Sequence, residues 1–259
     1  MEWADEGIVL SARKHGENAA IVQLLTRGHG RHAGLVRGGA GARARGILQP
    51  GNRVQAVWRA RLAEHLGTYR CELLHSGGAL FLDDAVRLAA LAAACALADS
   101  ALPEREPHPA LFEGLAALIA ALQSSDRVAG WGRAYVQWEL GLLAELGFGL
   151  ELSRCAATGR NDELAYVSPR TGQAVSLAAG EPYKDRLLPL PRFLVVPGSL
   201  PADVDVLAGL DLAGHFLERH AFAALHRELP RARALLIGRL RASLGRPVAA
   251  TESVASTIR

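Results

Sequence analysis

Five short runs of alternating or largely apolar residues, separated by glycine-rich breaks, fill the first 78 residues and constrain the fold most. They are residues 7–10, 19–25, 32–36, 54–59 and 68–74. Alternation of apolar and polar residues, as in Val54-Gln-Ala-Val-Trp-Arg59, is typical of a half-buried strand. The breaks carry Gly28-His-Gly30, the segment 37–46 and Pro50-Gly51, which favour turns. Five short strands in so short a segment predict a small barrel of the OB type.

Helix signals replace strand signals from about residue 82. Asp83 or Asp84 can cap the first predicted helix, and Ser124-Ser-Asp126 can cap the third. The predicted helices are 85–98, 109–122, 127–146, 203–227 and 230–244. We therefore predict an α+β chain made of an OB-fold β-barrel over 1–80, an α-helical domain over 81–248 and a flexible tail over 249–259.

Charge is distributed unevenly along the chain. Residues 1–78 contain eleven Lys and Arg against six Asp and Glu, a net +5, whereas the remainder contains eighteen against twenty, a net −2. No acidic residue occurs between Glu17 and Glu64. Such asymmetry points to a nucleic-acid partner, and the alternative interpretation is a solvated basic face. The predicted DNA-binding residues are Arg27, Arg31, His32, Arg37, Arg43, Arg45, Arg53, Arg59 and Arg61.

The segment 37–46 is predicted to be a flexible arginine loop that follows a phosphate backbone, with a disordered linker as the alternative. Its Gly39-Ala-Gly41 lacks the third glycine of a dinucleotide-binding fingerprint. Trp58 and Tyr69 are candidate base-stacking residues because single-strand-binding barrels use aromatic platforms. Packing in the barrel core is the favoured interpretation for both.

No catalytic constellation is evident in the sequence. There is no Gly-x-Ser-x-Gly elbow and no His-Glu-x-x-His motif. Asp203-Val-Asp205 lies at a predicted helix start, where acidic side chains favour the helix dipole. We expect a binding module without a cofactor, and the rival interpretation is an enzyme with a helical catalytic domain.

Residues 151–183 have the spacing of a zinc ribbon without its ligands. Cys155, Thr158, Ser176 and Ala179 occupy the positions of two ligand pairs about twenty residues apart. A structural zinc ion needs four sulfur or nitrogen ligands, and only Cys155 supplies one. We therefore predict a degenerate, zinc-ribbon-like insertion in the helical domain, with no metal ligands.

Cysteine use and terminal sequence suggest where the protein works. Cys71, Cys95 and Cys155 are odd in number and widely spaced, so no disulfide framework is implied and a reducing cytoplasm fits. Residues 1–6 have no signal-peptide pattern. The apolar stretch 88–98 is too short to span a bilayer. We expect a cytoplasmic protein without a membrane partner.

Several segments, in this order, resemble the RecO family of DNA repair and recombination proteins. Leu24-Leu-Thr-Arg-Gly-His-Gly30 and Gly46-Ile-Leu-Gln-Pro50 are similar to the N-terminal OB domain of that family. Leu140-Gly-Leu-Leu-Ala-Glu-Leu-Gly-Phe148 resembles the helix that enters the ribbon region. Phe216-Leu-Glu-Arg-His220 resembles a C-terminal helix. The likeness extends over most of the chain.

The resemblance implies a function in DNA damage repair by homologous recombination. Members bind single- and double-stranded DNA, anneal complementary strands and help RecA replace the single-strand-binding protein, SSB. Their partners are RecR and the acidic C-terminal tail of SSB. Many members carry four ribbon cysteines where this chain keeps one, so zinc is not carried over. A rival function is that of an RNA-binding OB-fold protein acting in translation or RNA metabolism.

The SSB tail is acidic and ends in an apolar residue with a free carboxylate, so its receptor needs an apolar pocket edged by cations. Arginines of the helical domain lie beside leucines in the sequence and can supply both. Alternatively, they solvate helix faces or pair with Glu218 and Glu228. The predicted partner-binding residues are Arg127, Arg133, Arg231, Arg233 and Arg239.

Overall fold

The computed structural model describes residues 1–244, so the predicted tail at 249–259 lies outside the described residues. Five strands form a closed barrel in the order β1-β2-β3-β5-β4, in which β1 also pairs with β4. A short helix, α1 (Ala42–Ile47), joins β3 to β4. The strands are β1 (Glu2–His15), β2 (Ala19–Thr26), β3 (Gly30–Val36), β4 (Arg53–Arg59) and β5 (Thr68–His75).

The long first strand closes the barrel. Residues 2–8 of β1 pair with β4, and residues 7–15 pair with β2. The register shifts between Val9 and Ser11, an irregularity that bends a strand and lets it serve two neighbours. The sequence predicted only residues 7–10 of this strand, because the flanking residues are mostly polar. These residues belong to the strand because they pair with β2 and β4, not because they are buried.

The inside of the barrel is filled by its own small core. Val9, Val22, Leu24 and Val54 are fully buried there, and they pack with Trp58 and Tyr69. The Trp58 indole N–H donates to the carbonyl of Leu66 over 3.0 Å. The prediction that Trp58 and Tyr69 pack in the core is confirmed, since they are only 2% and 5% exposed.

Helices follow the barrel. Asp84 caps the first long helix by accepting the N–H groups of Val86 and Arg87. The cap predicted at 124–126 is wrong, since the third long helix begins at Val128 after Arg127 and Ser125 instead accepts the Arg127 N–H. The long helices are α2 (Ala85–Ala101), α3 (Pro109–Ser124), α4 (Val128–Glu145), α6 (Asp203–Phe216) and α7 (Arg231–Leu244).

The predicted helix 203–227 is observed as a helical run over residues 203–224. In this run α6 ends at Phe216, a π-helical segment continues over Leu217–Phe222, and residues 223–224 are again α-helical. Among residues 1–244, no helix is both long enough and apolar enough to cross a membrane. The predicted ribbon-like insertion 151–183, here called the ribbon region, contains two strands of a small sheet with the order β7-β6-β8. The third strand, β8, lies just beyond its predicted end, and a single helical turn, α5, follows β7. These elements are β6 (Leu164–Val167), β7 (Ala174–Ser176), α5 (Leu177–Gly180) and β8 (Leu188–Pro189).

Helix α2 lies between the barrel and the other helices. Its buried residues are mostly alanines, and it packs against β1, α3, α4 and α7. The helical core continues into the barrel through the outward-facing Ile8, Leu10 and Leu25. Small side chains let the backbones approach closely, so one continuous core crosses the boundary predicted at residue 80.

Enlarging a buried alanine of α2 tests this packing. We expect Ala94→Leu to lower the free energy of unfolding by about 1–3 kcal/mol, because extra methyl groups must force apart the barrel and the helices. Ala92→Leu, on the exposed face of the same helix, is the matched control and should change it by less than about 0.5 kcal/mol. Urea denaturation measures both, and equal effects would show that α2 is not tightly enclosed.

Candidate nucleic-acid interface

The segment 37–48, here named the α1 segment, carries three exposed arginines, Arg37, Arg43 and Arg45. None of them forms an ion pair with any carboxylate in the described residues 1–244. The prediction of a flexible loop or disordered linker is wrong, because this segment is a turn followed by α1. Gly38, with φ +70°, makes the turn, and the N–H of Gly39 donates to the Val36 carbonyl.

Two clefts flank the α1 segment, and each contains cations. The first cleft, about 630 Å³, is lined by Arg37, Arg59 and Arg70 beside apolar residues of β4 and β5. The second cleft, about 500 Å³, is lined by Lys14, Arg45 and one acidic residue, Glu17. The α1 segment contributes residues to both clefts, and the two clefts together with this segment are here called the basic surface.

Lys14 and Arg70 were not among the predicted residues. Each lies outside the acid-free interval between Glu17 and Glu64, which contains all nine predicted DNA-binding residues. The alternation in β5 could have predicted Arg70 as a surface cation, because Tyr69 points into the barrel and its neighbour Arg70 therefore points outward. Lys14 reaches the second cleft because β1 extends to His15, beyond its predicted end.

Three predicted DNA-binding arginines pair with acidic residues of the fold and lie outside both clefts. Arg27 pairs with Glu113 of α3 over 2.6 Å and lies against the Phe112 ring. The guanidinium of Arg31 donates to the Leu102 carbonyl over 2.8 Å and lies 3.5 Å from the carboxylates of Asp99 and Glu104.

Arg53 pairs with Glu6 across the β1–β4 ladder. The Arg31 side chain is only 12% exposed, whereas those of Arg27 and Arg53 are 50% and 36% exposed, and none of the three residues lines either cleft. The structure therefore does not bring Arg27, Arg31 or Arg53 to the clefts.

His32 is also misplaced by the sequence prediction, because it lies inside one end of the barrel and is 3% exposed. Burial lowers the pKa of its imidazole to about 4, so the ring is neutral near pH 7. Its Nδ1 lies 3.0 Å from the Tyr69 hydroxyl. The ring therefore adds no positive charge to the surface at that pH.

The two remaining predicted residues stay at the surface. Arg59 pairs with Glu2 over 2.7 Å but keeps most of its side chain exposed, and it lines the first cleft. Arg61 is exposed in the connection between β4 and β5. Of the nine predicted residues, Arg37 and Arg59 line the first cleft and Arg45 lines the second, whereas Arg43 and Arg61 are exposed but line neither.

The predicted partner-binding arginines do not form one patch. Arg127 is exposed just before α4, whereas Arg133 is half-buried and donates to the Ser199 carbonyl over 3.3 Å. On α7, Arg231 is exposed and Arg239 donates to the Ala85 carbonyl at the start of α2. Within residues 1–244, none of them pairs with Glu218 or Glu228, the acids suggested by the sequence.

Arg233 cannot be a partner-binding residue, because it is buried in the helical core. Its guanidinium donates to both carboxylate oxygens of Glu139, each over 2.8 Å, and to the Leu210 carbonyl over 2.6 Å. Glu139 is itself fully buried. Gly214 allows this arrangement, since a Cβ there would lie 2.7 Å from the guanidinium. The pair joins α4, α6 and α7.

Removing the arginine should therefore destabilise the fold. We expect Arg233→Met to lower the free energy of unfolding by about 3–5 kcal/mol, because the Glu139 carboxylate would remain buried without its partner. Arg231→Met, two residues earlier and exposed, is the control and should change it by less than about 0.5 kcal/mol. Thermal and urea unfolding measure the difference, and a loss below about 1 kcal/mol for Arg233→Met would contradict this role.

The ribbon region does not fit a zinc ion. The Cys155 sulfur accepts the backbone N–H of Ser176 over 3.3 Å and lies 3.5 Å from the Ser176 hydroxyl. Burial raises the pKa of the Cys155 thiol, but hydrogen bonds from Ser176 and Thr158 outweigh it and bring the pKa to about 6. Within the described residues, no three His, Cys, Asp or Glu side chains cluster as metal ligands would. The sulfur is held by donors, which a cation would have to displace.

Comparison with known proteins agrees with this architecture. Residues 1–76 match the family model described as Recombination protein O N terminal, and residues 82–228 match Recombination protein O C terminal. The chain is 60% identical over 243 residues to DNA repair protein RecO of Rhodospirillum centenum, which covers 93% of this chain and 95% of that protein. It is 52% identical over 244 residues to DNA repair protein RecO of Rhodospirillum rubrum, covering 93% and 97%. The corresponding protein of Phenylobacterium zucineum is 54% identical over 241 residues, covering 93% and 98%.

Proposed function

This chain belongs to the RecO family of DNA repair proteins, and from that premise we propose that its barrel binds single- and double-stranded DNA. We further propose that it anneals complementary strands in the cytoplasm and helps RecA replace SSB. The observation that carries the proposal is the basic surface formed by the two clefts and the α1 segment. Strand order 1-2-3-5-4, with β3 and β5 parallel, supports the inference that the barrel is an OB fold.

The proposed mechanism needs binding and charge neutralisation only. Cations of the clefts contact phosphates, and each contact releases condensed counterions from the strand. Two strands held on such a surface repel each other less and meet at a high local concentration, which favours pairing. No covalent step is required, so we propose a binding protein rather than an enzyme.

Salt dependence tests the contribution of the α1 segment. On a single strand, log affinity should fall linearly with log salt concentration, with a slope of roughly −0.7 per phosphate contact. Changing Arg37, Arg43 and Arg45 together to alanine should weaken binding and flatten the slope by about 2 units, because three contacts disappear. Fluorescence anisotropy with a labelled oligonucleotide measures both quantities.

A control variant that loses the same number of positive charges elsewhere shows whether the effect comes from contacts of the α1 segment or from the net charge of the protein. Arg170, Arg186 and Arg192 are exposed and lie in or beside the ribbon region, so their combined change to alanine should leave the slope nearly unaltered. An unchanged slope in the α1 variant would remove this segment from the interface. Tighter binding of an RNA strand of the same sequence would favour the rival function, because contacts to the 2′-hydroxyl can discriminate RNA from DNA.

For the partner, we propose that the acidic SSB tail docks on a stripe of α7. Arg231, Leu235 and Arg239 are spaced four residues apart and share one helix face. Leu235 is 51% exposed, and the Arg239 guanidinium reaches the start of α2. An exposed leucine between two cations suits a peptide that ends in an apolar residue with a free carboxylate. RecR is a second proposed partner.

A tail peptide titration tests this stripe. We expect Leu235→Ser with Arg231→Ala to weaken binding at least about tenfold, since both the apolar contact and a charge-assisted hydrogen bond are lost. Amidating the terminal carboxylate should weaken binding to the wild-type protein similarly. Leu200→Ser, at an exposed leucine outside α7, should have no effect. Equal affinity of the α7 variant and the wild type would rule out this docking site.

A further inference from the structure

A recess of about 350 Å³ opens at one end of the barrel, next to the first cleft. The start of β1, the β2–β3 turn, the end of β4 and the β4–β5 connection surround it. The loop between α2 and α3 adds one side chain. The residues that matter here are Glu2, Trp3, His29, Trp58, Ala63 and Arg105. Its walls are mainly apolar, in contrast to the basic clefts.

Three aromatic rings form a column along the wall of this recess. The rings of Trp3 and His29 are stacked, with centroids 4.0 Å apart and planes 7° from parallel. The Trp3 ring also stacks on Trp58 at 5.7 Å. Trp58 is the buried end of the column, whereas His29 is its exposed end, with 38% of its side chain accessible. The outer ring therefore presents a preformed stacking surface.

The exposed ring is fixed by its neighbours. The His29 Nδ1 lies 3.1 Å from a carboxylate oxygen of Asp5, and the same oxygen accepts the Gly28 N–H over 2.8 Å. Asp5 thereby orients both the ring and the turn that carries it. A fixed aromatic ring loses little conformational entropy when a planar ligand stacks on it.

A cation is held at the rim. The Arg105 guanidinium donates to the carbonyls of Glu64 and His65 over 3.1 and 3.0 Å, and no carboxylate within residues 1–244 forms an ion pair with it. Its backbone has φ +62°, a conformation rare for residues other than glycine. The Arg105 N–H donates to the Arg31 carbonyl, which holds this strained residue against β3.

The recess adjoins the first cleft. Glu2 lines both of them, and its carboxylate pairs with Arg59. A strand that leaves the first cleft past this ion pair would reach the mouth of the recess. Flat apolar walls, a stacked ring and a rim cation match the chemistry of a nucleobase and its own phosphate.

We propose that this recess is a base-binding subsite, in which one unpaired base of a bound strand stacks on His29 while its phosphate approaches Arg105. This inference rests on the proposed DNA binding by the barrel. Since a base within a duplex is already stacked and paired, the subsite would favour single strands over duplexes. Stacking on a ring face reads no hydrogen-bond pattern, so all four bases are accommodated.

Two oligonucleotides and two variants test the subsite. The probes are a labelled thymidine strand of about 16 nucleotides and an abasic strand of the same length. We expect the wild-type protein to bind the thymidine strand about tenfold more tightly. His29→Ala should remove that preference while leaving the salt slope unchanged, and His29→Phe should restore it. His15→Ala, at an exposed histidine in β1, is the matched control and should behave as the wild type.

Two outcomes are distinguishable. If the thymidine strand binds with a steep salt slope but His29→Ala matches the wild type on both probes, the subsite is wrong while DNA binding by the barrel stands. If neither probe binds at low salt, the proposed DNA binding itself fails. Quenching of tryptophan fluorescence by the thymidine strand, lost in Trp3→Phe but retained in Trp138→Phe, would independently support stacking at this end of the barrel.

Discussion

The packing of small side chains on α2 is the constraint on which the rest of the structure depends. Alanines at 90, 93, 94 and 98 are fully buried, so β1 can lie close to α2 on one side and α7 close to it on the other. Gly51 in the barrel also permits this close approach to α2, because a Cβ there would lie within 3 Å of the Leu91 side chain. The barrel and helices consequently share one core.

That shared core explains why two arginines of the basic interval pair with acidic residues of the helical part. Arg27 and Arg31 lie where the barrel meets the helices, and their carboxylate partners come from α2, α3 and the loop between them. The same loop delivers Arg105 to the recess. The helical part therefore helps to shape the surface proposed for DNA. The net charge of residues 1–78 also counts Arg27 and Arg31, which pair with acidic residues of the helical part.

The sequence predicted the element types well and the site only in part. Alternation located four strands closely and periodicity located the long helices, and of the predicted caps Asp84 was correct whereas the cap at 124–126 was wrong. The sequence could not show that Arg31 pairs with Asp99, 68 residues away, or that Arg233 pairs with Glu139, 94 residues away. Only the tertiary fold brings these residues together. His32 was misjudged for the same reason, since its enclosure by Trp3, Trp58 and Tyr69 is a property of the closed barrel.

The central claim is that a single strand lies on the basic surface of the barrel and passes the aromatic recess. Photo-crosslinking of a strand with photoreactive thymine analogues, followed by mass spectrometry of the attached peptides, tests it most directly. The account predicts crosslinks to peptides containing the α1 segment and to peptides containing Trp3 or His29. Crosslinks confined to residues 109–244, with none in the barrel, would contradict it.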